Sequence, residues 1–250
     1  MENSLAKWNG KVAVVTGASN GIGAEIAERL VENGMKVIGL ARRVEVIERN
    51  AEKLVCKKGE LHGIKVDMRN SQGVLEAFEI IEKKFGPINI LVNNAGMGTN
   101  TTLSDGDIEK WKEVFDTNVI GLCVATKAAV TSMKKNNIDG HIIHINSVVG
   151  HKVPAGIELN VLPASKYAVT ALTESLRLEL LHRGSKIKIT SISPGLVDTG
   201  FLATADMDVP PEGSPILRPR DVADAAIYVL STPSHVQVNE LTITPVGSRL

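Results

Sequence analysis

Thr16, Gly17, Ala18, Ser19, Asn20, Gly21, Ile22 and Gly23 follow an apolar run and precede a helical pattern. Glycines so spaced permit a tight turn, let backbone approach a pyrophosphate, and let a helix pack closely on a strand. The free N–H groups and the positive end of the helix then face the phosphates. Three glycines alone suit an ordinary β–α turn equally well; their place between a first strand and a helix favours a dinucleotide. Arg42 and Arg43 end the next apolar run. An acidic residue there would hold a ribose hydroxyl, whereas a guanidinium suits a 2′-phosphate through parallel hydrogen bonds. The pair therefore predicts NADP(H), with Ser19 as a third contact, although a solvated basic pair at a strand end is the plainer alternative. Asp67 closes the third apolar run, where it would meet the adenine edge.

Positioning these groups requires an alternation of strands and helices. Apolar, β-branched runs at 11–16, 36–41, 61–66, 88–92, 141–146, 186–192 and 240–244 read as strands. Helical patterns fall at 24–33, 44–55, 72–85, 108–135, 161–182 and 221–230. That alternation predicts an α/β fold, a doubly wound parallel sheet covered on both faces. No linker, repeat or low-complexity block divides the 250 residues, so one domain is expected. The segment 196–219, rich in Pro, Gly and Asp, is too long for an ordinary connection. It reads as a lid over an apolar substrate or as a surface loop.

TGASNGIG, NNAG at 93–96, Asn118, Ser147, Lys166 and PGLVDT at 194–199, in this order, resemble the short-chain dehydrogenase/reductase family. Within it, GLARRVE, HIIHINSVVGH and ASKYAVTALTE resemble the insect farnesol dehydrogenase-like branch, close to vertebrate members that reduce steroids and other carbonyl compounds. The resemblance implies that Asn94, Ala95 and Gly96 line the nicotinamide-side ribose and that Val197 and Thr199 meet the carboxamide. Pro194 and Gly195 fall at a strand's carboxyl end, where open α/β sheets hold ligands.

The resemblance also implies a proton path to accompany hydride transfer. A Tyr phenol four residues before Lys166 would carry the proton, and Lys166 would lower its pKa and hold the ribose hydroxyls. Ser147 would steady the substrate oxygen, and Asn118 would hold a water of the relay. The tyrosine position is Leu162. Residues four apart share a helix face, so Leu162 points at the site that Lys166 serves. Leucine cannot exchange a proton. Tyr167 is rotated about 100° around the helix and should face the core or a partner. His151, four residues after Ser147, is a conceivable acid–base group in a nearby loop. The resemblance implies a histidine there even beside the tyrosine, so it is not read as compensation. Lys166 acting through water is an alternative that nothing in the sequence supports.

Two readings follow. One is an NADP(H)-dependent oxidoreductase interconverting an apolar alcohol and its carbonyl, slowed by Leu162. The other is a non-catalytic NADP(H)-binding protein, a sensor, carrier or dimer partner. Lys plus Arg equals Asp plus Glu at 28 each, and aromatic residues are 3%, which argues against nucleic acid and anionic membranes. No apolar leader is evident, and no run approaches the roughly 20 apolar residues of a membrane span. Cys56 and Cys123 form no metal motif or disulfide framework and read as reduced side chains of a cytoplasmic protein. His141 and His144, three apart on a strand, point to opposite faces, so no shared metal is expected. By the resemblance, the helices near 108–135 and 161–182 would form a homodimer or homotetramer. Leu172, Leu176 and Leu180 recur at helical spacing there, as a core stripe also would.

Overall fold

The structure is a computed structural model and describes residues 5–154, 159–205 and 213–248. Seven strands form one parallel sheet in the order β3-β2-β1-β4-β5-β6-β7. They are β1 Val12–Thr16, β2 Lys36–Ala41, β3 Glu60–Lys65, β4 Ile88–Asn93, β5 His141–Ile145, β6 Lys188–Pro194 and β7 Glu240–Ile243. The chain runs outward from β1 to β3, then returns to place β4 beside β1. That reversal opens a crevice beyond the carboxyl ends of β1 and β4, the usual ligand position in such sheets. The register of β1 on β4 slips between Val12 and Ala13. The Asn89 amide fills the gap there, its Oδ1 accepting the Val12 N–H at 3.2 Å.

Strand residues alternate between two cores, as a period of two demands. On one face Ala13, Val15, Ile90, Val92, Ile143 and Ile192 pack against Ile26 and Leu30 of α1 (Gly21–Glu32) and Val222, Ala226 and Val229 of α8 (Pro219–Ser231). On the other, Val12, Val14, Leu91, Ile142 and Ile189 meet Val74, Phe78 and Ile81 of α3 (Ser71–Phe85) and Ala125, Ala129 and Met133 of α5 (Leu122–Lys135). Both faces are dry, which explains why the strands read as near-continuous apolar runs. α2 (Val44–Lys53) contributes Ile47 to the first core.

Three expectations change. α1 starts at Gly21, three residues before the predicted 24, because Gly21 and Gly23 lie inside its first turn rather than breaking it. The stretch Ile108–Lys135 is one continuous helical path, but its middle is a π-helical turn, Asp116–Gly121, between α4 (Ile108–Phe115) and α5. By length and composition this path meets the criterion for a bilayer span, contrary to the sequence reading. Its buried Ala125, Ala129 and Met133 instead cover the sheet. The segment 196–219 is not wholly irregular: it holds the short α7 (Phe201–Thr204) and a bridge from Val197 to Leu217. Residues 206–212 of the expected lid lie outside the described residues.

The leucine stripe of α6 (Val161–His182) divides. Leu180 belongs to the second core, whereas Leu172 and Leu176 line an outer groove with Leu122 and Val130 of α5. His141 and His144 make separate bonds, His141 Nε2 with Thr190 Oγ1 and His144 Nδ1 with Thr173 Oγ1, both at 2.9 Å.

Candidate active site

A cleft of about 1060 Å³ runs over the carboxyl ends of the strands. Gly17, Ser19, Asn20, Gly21 and Ile22 line one part of it. Gly17 has φ of +68°, and a Cβ there would lie 2.9 Å from Ala95 Cα, so only glycine fits. Asn94 and Ala95 both donate backbone N–H to Thr16 Oγ1 at 3.0 Å. The Asn94 side chain donates in turn to the Thr16 and Gly17 carbonyls at 3.0 and 3.3 Å. Asn94 therefore works chiefly as the clasp that shapes the turn.

Gly23 departs from its expected role. It does not line the cleft among the described residues; a Cβ there would meet Asn94 Nδ2 at 2.3 Å and the Gly17 carbonyl oxygen at 2.4 Å. Its task is close packing of helix on turn. At the start of α1, Asn20 is the N-cap but its side chain makes no capping bond. First-turn N–H groups have no partner within a helix. The turn thus offers an uncapped helix end and a glycine cradle to the cleft, a donor set that fits a diphosphate.

Arg42 and Arg43 are exposed at the end of β2 and line the same cleft. Asp67 lines it too, but its carboxylate is already engaged: Arg69 Nη2 donates to Oδ2 at 2.7 Å and Arg69 Nε to Oδ1 at 3.1 Å. Arg69 holds the Asp67 carboxyl below its ordinary pKa, with Arg42 adding to the effect. Asp67 therefore meets the cleft as half of an ion pair rather than as a free acceptor. Arg69, which also pairs with Glu113, was not anticipated. Its place two residues past a strand-end acid was the available signal.

At the far end, Ser147 ends the β5 connection and caps the 3-10 turn Val148–Gly150, its Oγ accepting from the Val149 N–H at 3.3 Å. Lys166 Nζ, on the second turn of α6, donates to the Ile145 carbonyl at 3.0 Å. Burial lowers its pKa from 10.5 to about 8. Leu162 is 6% exposed and lines the cleft with Ser147 and Lys166, so the apolar side chain does stand on the face that Lys166 serves. Asn118 does not line the cleft. At 2% exposure, in the π turn, it accepts the Met97 N–H on Oδ1 at 2.8 Å and donates from Nδ2 to the Met97 carbonyl at 2.9 Å and Ser165 Oγ at 3.0 Å. Gly96 lies between the two groups: a Cβ there would sit 3.5 Å from Asn118 Oδ1 and 3.9 Å from Lys166 Nζ, in ordinary contact with both.

No imidazole or phenol lines the cleft among the described residues. His151 turns away, its Nε2 lying 3.0 Å from Ser193 Oγ and 3.3 Å from Glu240 Oε1, which removes it as a substitute. Tyr167 is 43% exposed on the outside of α6, not in the core, and Tyr228 is 56% exposed on α8. Ala95, Pro194, Gly195, Val197 and Thr199 also line the cleft. So do the apolar Val149, Leu159, Leu162, Leu196, Phe201 and Leu202.

The family model for short chain dehydrogenase matches residues 11–209. The chain belongs to that family. It is 50% identical over 247 residues to a farnesol dehydrogenase of Aedes aegypti, a match covering 98% of this chain and 100% of the relative. It is 44% identical over 252 residues to dehydrogenase/reductase SDR family member 11 of Mus musculus, covering 96% of each. Among solved structures, an alcohol dehydrogenase of Thermococcus sibiricus complexed with 5-hydroxy-NADP matches at a TM-score of 0.85 and 28% identity, covering 96% of this chain and 98% of that one. A short chain dehydrogenase/reductase of Burkholderia phymatum, in complex with NAD, matches at 0.83 and 26%, covering 94% and 89%. The oxidoreductase class and the fold expected from the motifs are thus established.

Proposed function

We propose that the protein interconverts an apolar alcohol and its carbonyl compound with NADP(H), the substrate being a farnesol-like isoprenoid or a steroid. The observation that carries this reading is the continuity of one cleft, from the uncapped glycine turn and the Arg pair to Ser147 and Lys166. The bound nicotinamide would supply or accept hydride. The chain's own residues do the rest. The N–H groups of residues 19–22 would hold the diphosphate, and Arg42, Arg43 and Ser19 the 2′-phosphate. Lys166 would hold ribose hydroxyls, Ser147 the substrate oxygen, and the wall around Leu159 and Phe201 the apolar body. Asn118 would support the Met97 backbone and the relay behind it. We place the protein in the cytoplasm as a homodimer or homotetramer, its contact being the groove of α5 and α6.

Assay of the purified protein with NADP⁺ and farnesol tests the activity, and titration with NADPH and NADH tests the cofactor. Tighter binding of NADPH, with turnover above a Lys166→Ala control, is the expected result. Leu162 favours a second reading, an NADP(H)-binding protein without turnover. Tight NADPH binding with no turnover on any alcohol or carbonyl would select it.

A further inference from the structure

Leu162 leaves the substrate oxygen without a phenol, yet the same end of the cleft contains one side chain that carries a proton at neutral pH. Of the described residues lining the cleft, five are ionisable: Arg42, Arg43, Asp67, Arg69 and Lys166. The first four lie around the ends of β2 and β3. Lys166 alone lines the cleft with Ser147 and Leu162. Its Nζ has three protons and one partner among the described residues, the Ile145 carbonyl at 3.0 Å. Of the two remaining, one would serve the ribose and the other is available to the cleft. Leucine is shorter than tyrosine and has no polar atom, so it offers no competing partner to a water beside Nζ.

We propose that Lys166, acting through one water seated above Leu162, is itself the acid and base for the substrate oxygen. The inference rests on the oxidoreductase reading above. In reduction the nicotinamide, when bound, would supply hydride to the carbonyl carbon, leaving the C=O π pair on oxygen. That oxygen takes a proton from the water, which takes one from the Lys166 ammonium. The neutral amine regains its proton from solvent. Oxidation reverses each movement, so it needs the amine neutral at the start.

The surroundings favour this proton exchange. Burial brings the Lys166 pKa down to about 8, within reach of working pH, where a general acid or base is most effective. The described groups packed around it do not titrate there. His144, behind it on β5, is held neutral by burial with a pKa of about 3. Asn118 and Ser165 are neutral amide and hydroxyl, and Ser147 presents only a hydroxyl.

Turnover of the wild-type holoenzyme measured against pH in both directions gives the first test. Reduction should fall, and oxidation should rise, through a common midpoint near 8. Competitive acylation of the cofactor-free protein, read by mass spectrometry at Lys166, should give the same midpoint without any turnover. Lys166→Arg keeps charge and a donor but cannot release a proton. It should lose about 10²–10⁴ in turnover while NADPH binding changes far less. A purely structural lysine would instead lose binding and turnover together. Flat pH profiles, an ordinary lysine midpoint in the acylation, or an active Lys166→Arg enzyme would each overturn the proposal, as would NADPH binding without turnover. Absence of NADPH binding would sink the oxidoreductase reading itself.

Discussion

The two ends of the cleft are built from opposite materials. Around residues 17–22 the contacts come from backbone N–H groups and from exposed Arg42, Arg43 and the Asp67–Arg69 pair. Around Leu162 the groups are sunk in the protein, with Asn118, Ser165 and Lys166 bonded to one another's elements and to backbone carbonyls. A backbone cradle recognises a charge pattern and tolerates changes in its side chains. A buried polar cluster recognises a geometry, and removal of one hydroxyl changes what it can do. The two roles proposed above, holding a dinucleotide and moving a proton, should therefore be separable by mutation.

Leu162→Tyr offers the largest expected effect. With the rest of the cluster assembled, a phenol should raise turnover about 10²–10⁴-fold and leave NADPH affinity nearly unchanged, as steady-state kinetics beside a binding titration will show. Little or no gain would mean that the buried end is not poised for chemistry. Replacing Arg42 and Arg43 together by alanine should weaken NADPH by about 10–100-fold, since hydrogen bonds to charged groups contribute roughly 1.5–3 kcal/mol. NADH affinity should hardly move. Equal losses for both cofactors would relocate the 2′-phosphate contact.

Gly23→Ala probes the join between the two ends, because its Cβ would strike the Asn94 amide and the Gly17 carbonyl. Overpacking of that kind costs about 1–3 kcal/mol, which should lower the melting temperature by several degrees. Unchanged melting would show that the clasp can yield. The smallest effect expected is from Asp67→Asn. Removing a negative charge near Arg42 and freeing Arg69 should tighten NADPH by up to about five-fold, the scale of an exposed ion pair. Weaker binding would instead mark the Asp67 carboxylate as a direct acceptor for the adenosine.

What the sequence disclosed follows from how local each signal is. Dry strands such as β1, β2 and β4 announce themselves by apolar runs, whereas the edge strands β3 and β7 are half-exposed and legible only by their place in the alternation. The glycine turn and the arginines one strand further on were visible too. Arg69 was missed because its partners, Asp67 and Glu113, only become a network once the loop after β3 meets α4. The π turn at Asp116–Gly121 was invisible because the apolar pattern on either side matches one long helix. Gly23 was assigned to ligand contact because packing and cradle glycines look alike in one dimension. The meaning of Leu162 came from resemblance, since a lone leucine on a helix carries no message of its own.

Wide turns of this kind interrupt a regular helix by taking in extra chain, and they recur at functional sites. The one here separates α4 from α5 and presents the Asn118 amide to Met97. Excising a single residue between 116 and 121 would let the helix relax to ordinary pitch, keeping its flanking halves in place while the amide swings out of reach. The packing of Ala125, Ala129 and Met133 on the sheet does not depend on that amide, so the cost would fall on the Met97 backbone rather than on the core.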